Sequence, residues 1–222
     1  MRLIVFDCDG TLVDSQQTIV TATQTALAHY ELPCPERRDI LHAVGLPIDV
    51  ALRRHAPDID DAMLADMITI YRDTYAALLQ QRDRGQIMFE GMRQLICNLG
   101  DMGDTFLGIV TMKSGRGLDR VVDAYEIRQF FQTLKSADDG PGKPAPDLLL
   151  AAMGECGVRP EQTIMVGDTS FDMLMAKSAG ACAIGVSWGY QDIDELEESG
   201  ADHIVESAEA LTTLLQGLPE YG

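Results

Sequence analysis

Short apolar runs recur along the 222-residue chain at 3–7, 106–110, 163–167 and 182–186. Each is too short for a helix and is bounded by polar residues or glycine, which predicts buried strands. Between and after them lie helical patterns near 91–100, 115–124, 147–156, 171–179 and 207–215, with weaker strand signals near 132–135 and 203–205. Strands alternating with helices predict an α/β fold, a doubly wound parallel sheet with helices on both faces. Residues 15–85 break the alternation. They carry helical spacing at about 15–30, 36–43, 48–55 and 60–82 and no convincing strand. The pattern thus divides the chain into a core, 1–14 with 86–222, and a helical insert, 15–85.

Ligands of doubly wound sheets bind at the carboxyl ends of the strands, and the polar residues there are unusual. The first run ends in Asp7-Cys8-Asp9-Gly10-Thr11. If strand geometry persists, Asp7 and Asp9 point to one side, and paired carboxylates repel unless a cation or shared proton intervenes. Oxygen ligands suit Mg²⁺. The second run ends in Thr111, whose hydroxyl can donate to a phosphoryl oxygen ahead of a helix N-terminus that favours anions. Lys143 lies in Gly142-Lys143-Pro144-Ala145-Pro146, a stiff loop before a helix. The third run ends in Gly167-Asp168, with Asp172 one helical turn on. Each has a plainer alternative: a turn at Asp9-Gly10, a helix cap at Thr111, a solvated charge at Lys143, and cap and first-turn charge at Asp168 and Asp172.

In this order, Asp7-x-Asp9-Gly10-Thr11, Thr111, Lys143 and Gly167-Asp168-x-x-x-Asp172 resemble the haloacid dehalogenase superfamily. The stretches Asp-Gly-Thr-Leu-Val-Asp-Ser, Gly-Lys-Pro-Ala-Pro and Val-Gly-Asp-Thr-Ser-Phe-Asp look like its phosphoglycolate phosphatase-like branch. The resemblance covers nearly the whole chain and is weakest over 15–85. It implies a Rossmann-like core with a C1-type cap at 15–85, hinged at 14–15 and 86–91, which closes over the site. It implies that Asp7 attacks phosphorus, and that Asp9 protonates the leaving oxygen and then activates water. It further implies Mg²⁺ on the Asp7 carboxylate, the Asp9 carbonyl and Asp168, with Asp172 orienting a metal-bound water. Thr111 and Lys143 would grip the phosphoryl oxygens.

Composition narrows the chemistry. The net charge of −18 argues against nucleic-acid and anionic-membrane partners, which need a basic face, and leaves a small phosphorylated metabolite as the expected partner of a monomer or homodimer. Five scattered cysteines without metal-like spacing and a start directly in a strand lead to an expected cytoplasmic location. Asp9 points to phosphoryl transfer rather than dehalogenation. The absence of lysine from 15–85 disfavours a phosphonatase, which needs a Schiff-base lysine there. A sugar phosphomutase, a pyrophosphatase and a phosphate-binding regulatory protein remain alternatives. Met112 stands where many relatives have Asn, and methionine cannot donate a hydrogen bond. Cys8 is expected to face the core. Met173, Met175 and Trp188 are expected to pack, and His42, Arg53 and Arg54 fit a solvated face.

Overall fold

The computed structural model describes residues 1–80 and 86–218. In chain order its strands are β1 (Arg2–Phe6), β2 (Val13–Asp14), β3 (Ile87–Met88), β4 (Thr105–Val110), β5 (Thr133–Lys135), β6 (Thr163–Gly167), β7 (Cys182–Val186) and β8 (His203–Val205). The α-helices of the insert are α1 (Gln16–His29), α2 (Arg37–Leu41), α3 (Ile48–His55) and α4 (Asp61–Leu78). Those of the core are α5 (Met92–Gly100), α6 (Gly115–Ala124), α7 (Asp147–Cys156), α8 (Ser170–Ala179), α9 (Ile193–Glu198) and α10 (Ala208–Gly217).

Among the described residues the main sheet runs β5-β4-β1-β6-β7-β8, every pairing parallel. A sheet covered on both faces needs apolar side chains on both, which is why its strands read as continuous apolar runs. Alternation sorts them. Ile4 and Phe6 of β1, with Leu107 and Ile109 of β4, meet α5, α6 and α10. Leu3 and Val5, with Met165 of β6, meet α7 and α8. The two weak strand signals are the short strands β5 and β8 on the sheet's edges. Asp192 precedes the short acidic helix α9, which is not wholly solvated: Leu196 is buried against the sheet.

The insert has its own apolar cluster, in which Ala26 and Leu27 of α1, Leu52 of α3, and Leu64 and Met67 of α4 pack together. Asp60 caps α4 by accepting from Met63 N–H at 2.8 Å. The expected helix 60–82 ends at Leu78; its last two positions, and the end of the insert at 85, lie outside the described residues. The ends of the insert meet in a feature absent from the sequence reading. β2 and β3 pair antiparallel, Val13 opposite Met88 and Asp14 opposite Ile87. Two residues on each side carry too little pattern to register as strands.

Candidate active site

Asp7 follows β1, Thr111 follows β4 and Asp168 follows β6. Because β1 lies between β4 and β6, these residues share one stretch of the sheet's carboxyl edge. Asp7 N–H donates to the Val166 carbonyl at 2.9 Å, continuing the β1–β6 ladder. The chain then turns back sharply, with Leu12 N–H and Val13 N–H both donating to the Cys8 carbonyl. Gly10 makes the turn possible. Its φ is +88°, and a Cβ there would lie 2.1 Å from Asp168 Oδ2. The loop therefore lies directly against Asp168, and Thr11 Oγ1 donates to Asp168 Oδ1 at 2.8 Å. Tyr190 N–H donates to the other oxygen, Oδ2, at 3.0 Å.

Asp172 approaches from the first turn of α8. Its Oδ2 accepts from Thr169 N–H at 3.1 Å and Thr169 Oγ1 at 2.7 Å, so it does serve the helix start. Its Oδ1 lies 2.6 Å from Lys143 Nζ, which also lies 2.8 Å from Asp7 Oδ1. Lys143 is fully buried in its loop, not a solvated charge, and follows its chain into a cis peptide bond with Pro144. Both distances are as short as those of charge-assisted hydrogen bonds.

One ammonium, in contact with Asp7 and Asp172, sits at a cluster of three buried carboxylates. Burial pushes the Asp7 carboxyl up to about 6, with Lys143 opposing and Asp172 adding to the rise. Burial, then Asp7 and Asp172, hold Asp168 well above the usual carboxylate range. For Lys143 burial opposes the charge, but Asp172 and Asp7 outweigh it and keep the ammonium above the ordinary lysine range. Asp7, Asp168 and Asp172 each offer an oxygen, all within 4.8 Å of one another. A surplus of buried negative charge on clustered hard oxygen donors is what a divalent cation relieves, so these residues fit one.

Asp9 stands apart from this cluster. β1 ends at Phe6, and Asp9, three residues on, lines the same cavity as Asp7. The Asp9 carboxylate meets Lys113 Nζ at 2.8 Å and the Ser15 hydroxyl. Lys113 Nζ also donates to the Tyr75 hydroxyl of α4 at 2.7 Å. Gln86 Nε2 donates to Ser15 Oγ at 3.0 Å and to the same tyrosine hydroxyl. The sequence reading assigned no role to Lys113 or Tyr75. Lys113 carried a faint signal, as one of only four lysines and two residues beyond Thr111; Tyr75 carried none. Burial opposes the Lys113 charge, yet Asp9 and then Tyr75 hold it well above the ordinary range. Thr111 is buried, and its hydroxyl accepts from Lys113 N–H at 3.2 Å, which leaves its own hydrogen to donate. It does not cap α6; Ser114 does, accepting from Gly117 N–H at 3.3 Å.

Asp7, Asp9, Thr111 and Lys113 form the floor of a cavity of about 310 Å³ whose walls come largely from α1–α4. Other residues sit as expected. Cys8, Met173 and Met175 are buried in the core, and Trp188 packs beside Phe89 while its Nε1–H donates to the Thr11 carbonyl. His42 faces Glu195, and Arg53 pairs with Asp61; neither they nor Arg54 line the cavity.

A buried aspartate after the first strand, a lysine balancing it from the loop after the third core strand, and an acidic pair after the fourth form one constellation. The family profile described as "Haloacid dehalogenase-like hydrolase" matches residues 4–186. The chain belongs to the haloacid dehalogenase-like hydrolases. A protein named "Probable phosphatase IndB" from Dickeya dadantii is 33% identical over 207 residues, covering 92% of this chain and 89% of that one. A "Phosphoglycolate phosphatase" from Pseudomonas putida is 29% identical over 218 residues, covering 95% and 78%. The crystal structure of a hydrolase from Pseudomonas syringae superposes with a TM-score of 0.86 at 28% identity, covering 97% of each chain. The protein is a phosphatase of this family. Haloacid dehalogenase-like phosphatases generally use a divalent metal, and the Asp7, Asp168, Asp172 cluster is where this chain offers a place for one.

Proposed function

We propose that the protein hydrolyses a small phosphomonoester with Mg²⁺ through an aspartyl-phosphate on Asp7. The observation that carries this reading is the segregation of the two aspartates. Asp7 lies in the carboxylate cluster against Lys143, whereas Asp9 lies outside it, on the cavity floor beside Lys113. Two carboxylates in distinct environments suit two roles. An Asp7 oxygen attacks phosphorus as the ester P–O bond breaks, and Asp9 gives its proton to the departing oxygen. Asp9 then takes a proton from water, whose oxygen attacks phosphorus and frees Asp7. Thr111 Oγ1–H and the Lys143 ammonium bind the phosphoryl oxygens.

Asp7, Asp168 and the Asp9 carbonyl would hold Mg²⁺, with Asp172 orienting a water bound to it. Its chemistry when bound is to offset charge between the Asp7 carboxylate and the phosphoryl group. Residues 15–85 act as a cap that excludes water and shapes the substrate space. The partner is a small phosphorylated metabolite rather than nucleic acid or a membrane. The −18 charge disfavours large polyanions and leaves phosphate capture to local donors and metal. Five free cysteines support a reducing, cytoplasmic setting.

The test is phosphate release from a panel of phosphorylated metabolites, ranked by kcat/KM. Turnover with Mg²⁺ and its loss in EDTA are expected. Equal rates in the chelator would overturn the metal assignment, and phosphopeptides or nucleic-acid 5′ ends outranking every small ester would overturn the closed-site reading.

A further inference from the structure

The cavity over Asp7 and Asp9 is walled by Ile19, Ile40, Val44, Ile48, Leu52 and Tyr71 from the insert. Met112 joins them from the core. A second anionic group beyond the phosphate is held best by a cation among these side chains. Lys113, the buried ammonium on the cavity floor, is already taken by Asp9. His55 is half-buried, and burial followed by Arg54 lowers its pKa below the usual histidine value, so it is neutral at pH 7. Arg72 and Arg116 are exposed, which places their guanidinium groups at the solvent edge. Arg120, one turn beyond Arg116 on α6 and half-buried, also lines the cavity, on the core side opposite the apolar residues of the insert. The deep wall is apolar, and its volume sits at the small end of ligand pockets, about 300–1,000 Å³.

Resting on the phosphatase reading above, we propose that the physiological ester carries an uncharged, apolar leaving group, alkyl or aryl, which this wall buries while its phosphate meets Asp7. Such esters are turned over faster than esters with a second negative charge, phosphoglycolate included, because the apolar wall rewards carbon and not charge. Unlike a generic small-metabolite site, this pocket gains transition-state binding from carbon that never reacts.

Two measurements on the wild-type protein with Mg²⁺ test this. The first is kcat/KM for n-alkyl phosphates from ethyl to hexyl, benzyl phosphate and phosphoglycolate. Leaving-group basicity changes little along the alkyl series, so its trend reports binding. An increase of about fourfold per methylene until the cavity fills is expected, with benzyl phosphate at least about tenfold ahead of phosphoglycolate. A flat series, or phosphoglycolate equal to or ahead of benzyl phosphate, overturns the proposal. The second is calorimetric titration with the matching alkylphosphonates, whose affinity should climb with chain length and should climb less in Val44→Asp. Climbing affinity without hydrolysis of any ester would sink the phosphatase reading and keep the pocket. Hydrolysis with chain-independent affinity would do the reverse.

Discussion

Asp7 and Asp9 are two residues apart, yet each has its own lysine, Lys143 for one and Lys113 for the other. Replacing either aspartate therefore tests a different step. Asp7→Asn should abolish turnover, because an amide is a poor nucleophile; near-normal activity would remove Asp7 from covalent catalysis. Asp9→Asn should slow turnover by about 10²–10⁴-fold, the usual share of general acid–base catalysis. It should also let a phosphoenzyme accumulate, detectable by mass spectrometry of the intact protein. Lys113→Met leaves the Asp9 carboxylate without its counter-ion. Removing one partner of a fully buried pair costs about 3–5 kcal/mol, and the residual solvent access of Asp9 places this variant below that range. A lower melting temperature is expected, recovered in part by Lys113→Arg. An unchanged melting curve would show that the pair contributes nothing to the folded state. Asp7, Asp9, Thr111 and Asp168 were legible as polar residues closing apolar runs, Asp172 as one helical turn beyond, and Lys143 as the cation of a stiff loop. Lys113 and Tyr75 were not, because their importance lies in a contact between α4 and the core that no local spacing encodes.

At the scale of elements, the start of α8 serves both the fold and the site. Thr169 donates through its N–H and its hydroxyl to Asp172 Oδ2, which leaves Asp172 Oδ1 turned toward Lys143. Thr169→Ala removes the hydroxyl contact at the helix start, where losing a cap costs about 1 kcal/mol. For a chain of this size that lowers the melting temperature by about 2–4 °C. Loosening a group that orients a metal-site carboxylate typically costs about 10–100-fold in metal affinity, measurable by Mg²⁺ titration. If affinity stays at the wild-type value, Thr169 matters to the helix alone. The helices and long strands were readable because their apolar periods are sustained over many residues. The β2–β3 pairing was not, because two-residue strands exist only when the chain ends of the insert are brought side by side.

For the whole molecule, the proposed Mg²⁺ site on Asp7 and Asp168 exists only in the folded state, so binding of the ion is expected to stabilise the fold. Mg²⁺ at about 100 times its dissociation constant should add about 2.7 kcal/mol, and so raise the melting temperature by about 5–11 °C. The shift should vanish in EDTA and shrink in Asp168→Asn. A melting temperature indifferent to Mg²⁺ would place the cation elsewhere or nowhere. Among the described residues no helix is long and apolar enough to cross a membrane. The apolar surface of this chain is spent instead on two layers against the sheet, a separate cluster in the insert, and the cavity between insert and core.

What the sequence by itself determined is everything that repeats or punctuates locally: strands from short apolar runs, helices from their period, and the polar residues that end each run. These are properties of neighbouring residues, and the parallel order of the sheet follows from them because alternating units pack in few ways. Only the tertiary structure decided which charge faces which. Asp9 meets Lys113 while Asp7 meets Lys143, and Lys143 was drawn from its loop to lie between Asp7 and Asp172. The apolar wall over the site was likewise invisible in the chain. Its residues come from α1, α2, α3, α4, the segment between α2 and α3, and the segment after β4, and they become one surface only when those pieces close around the same space.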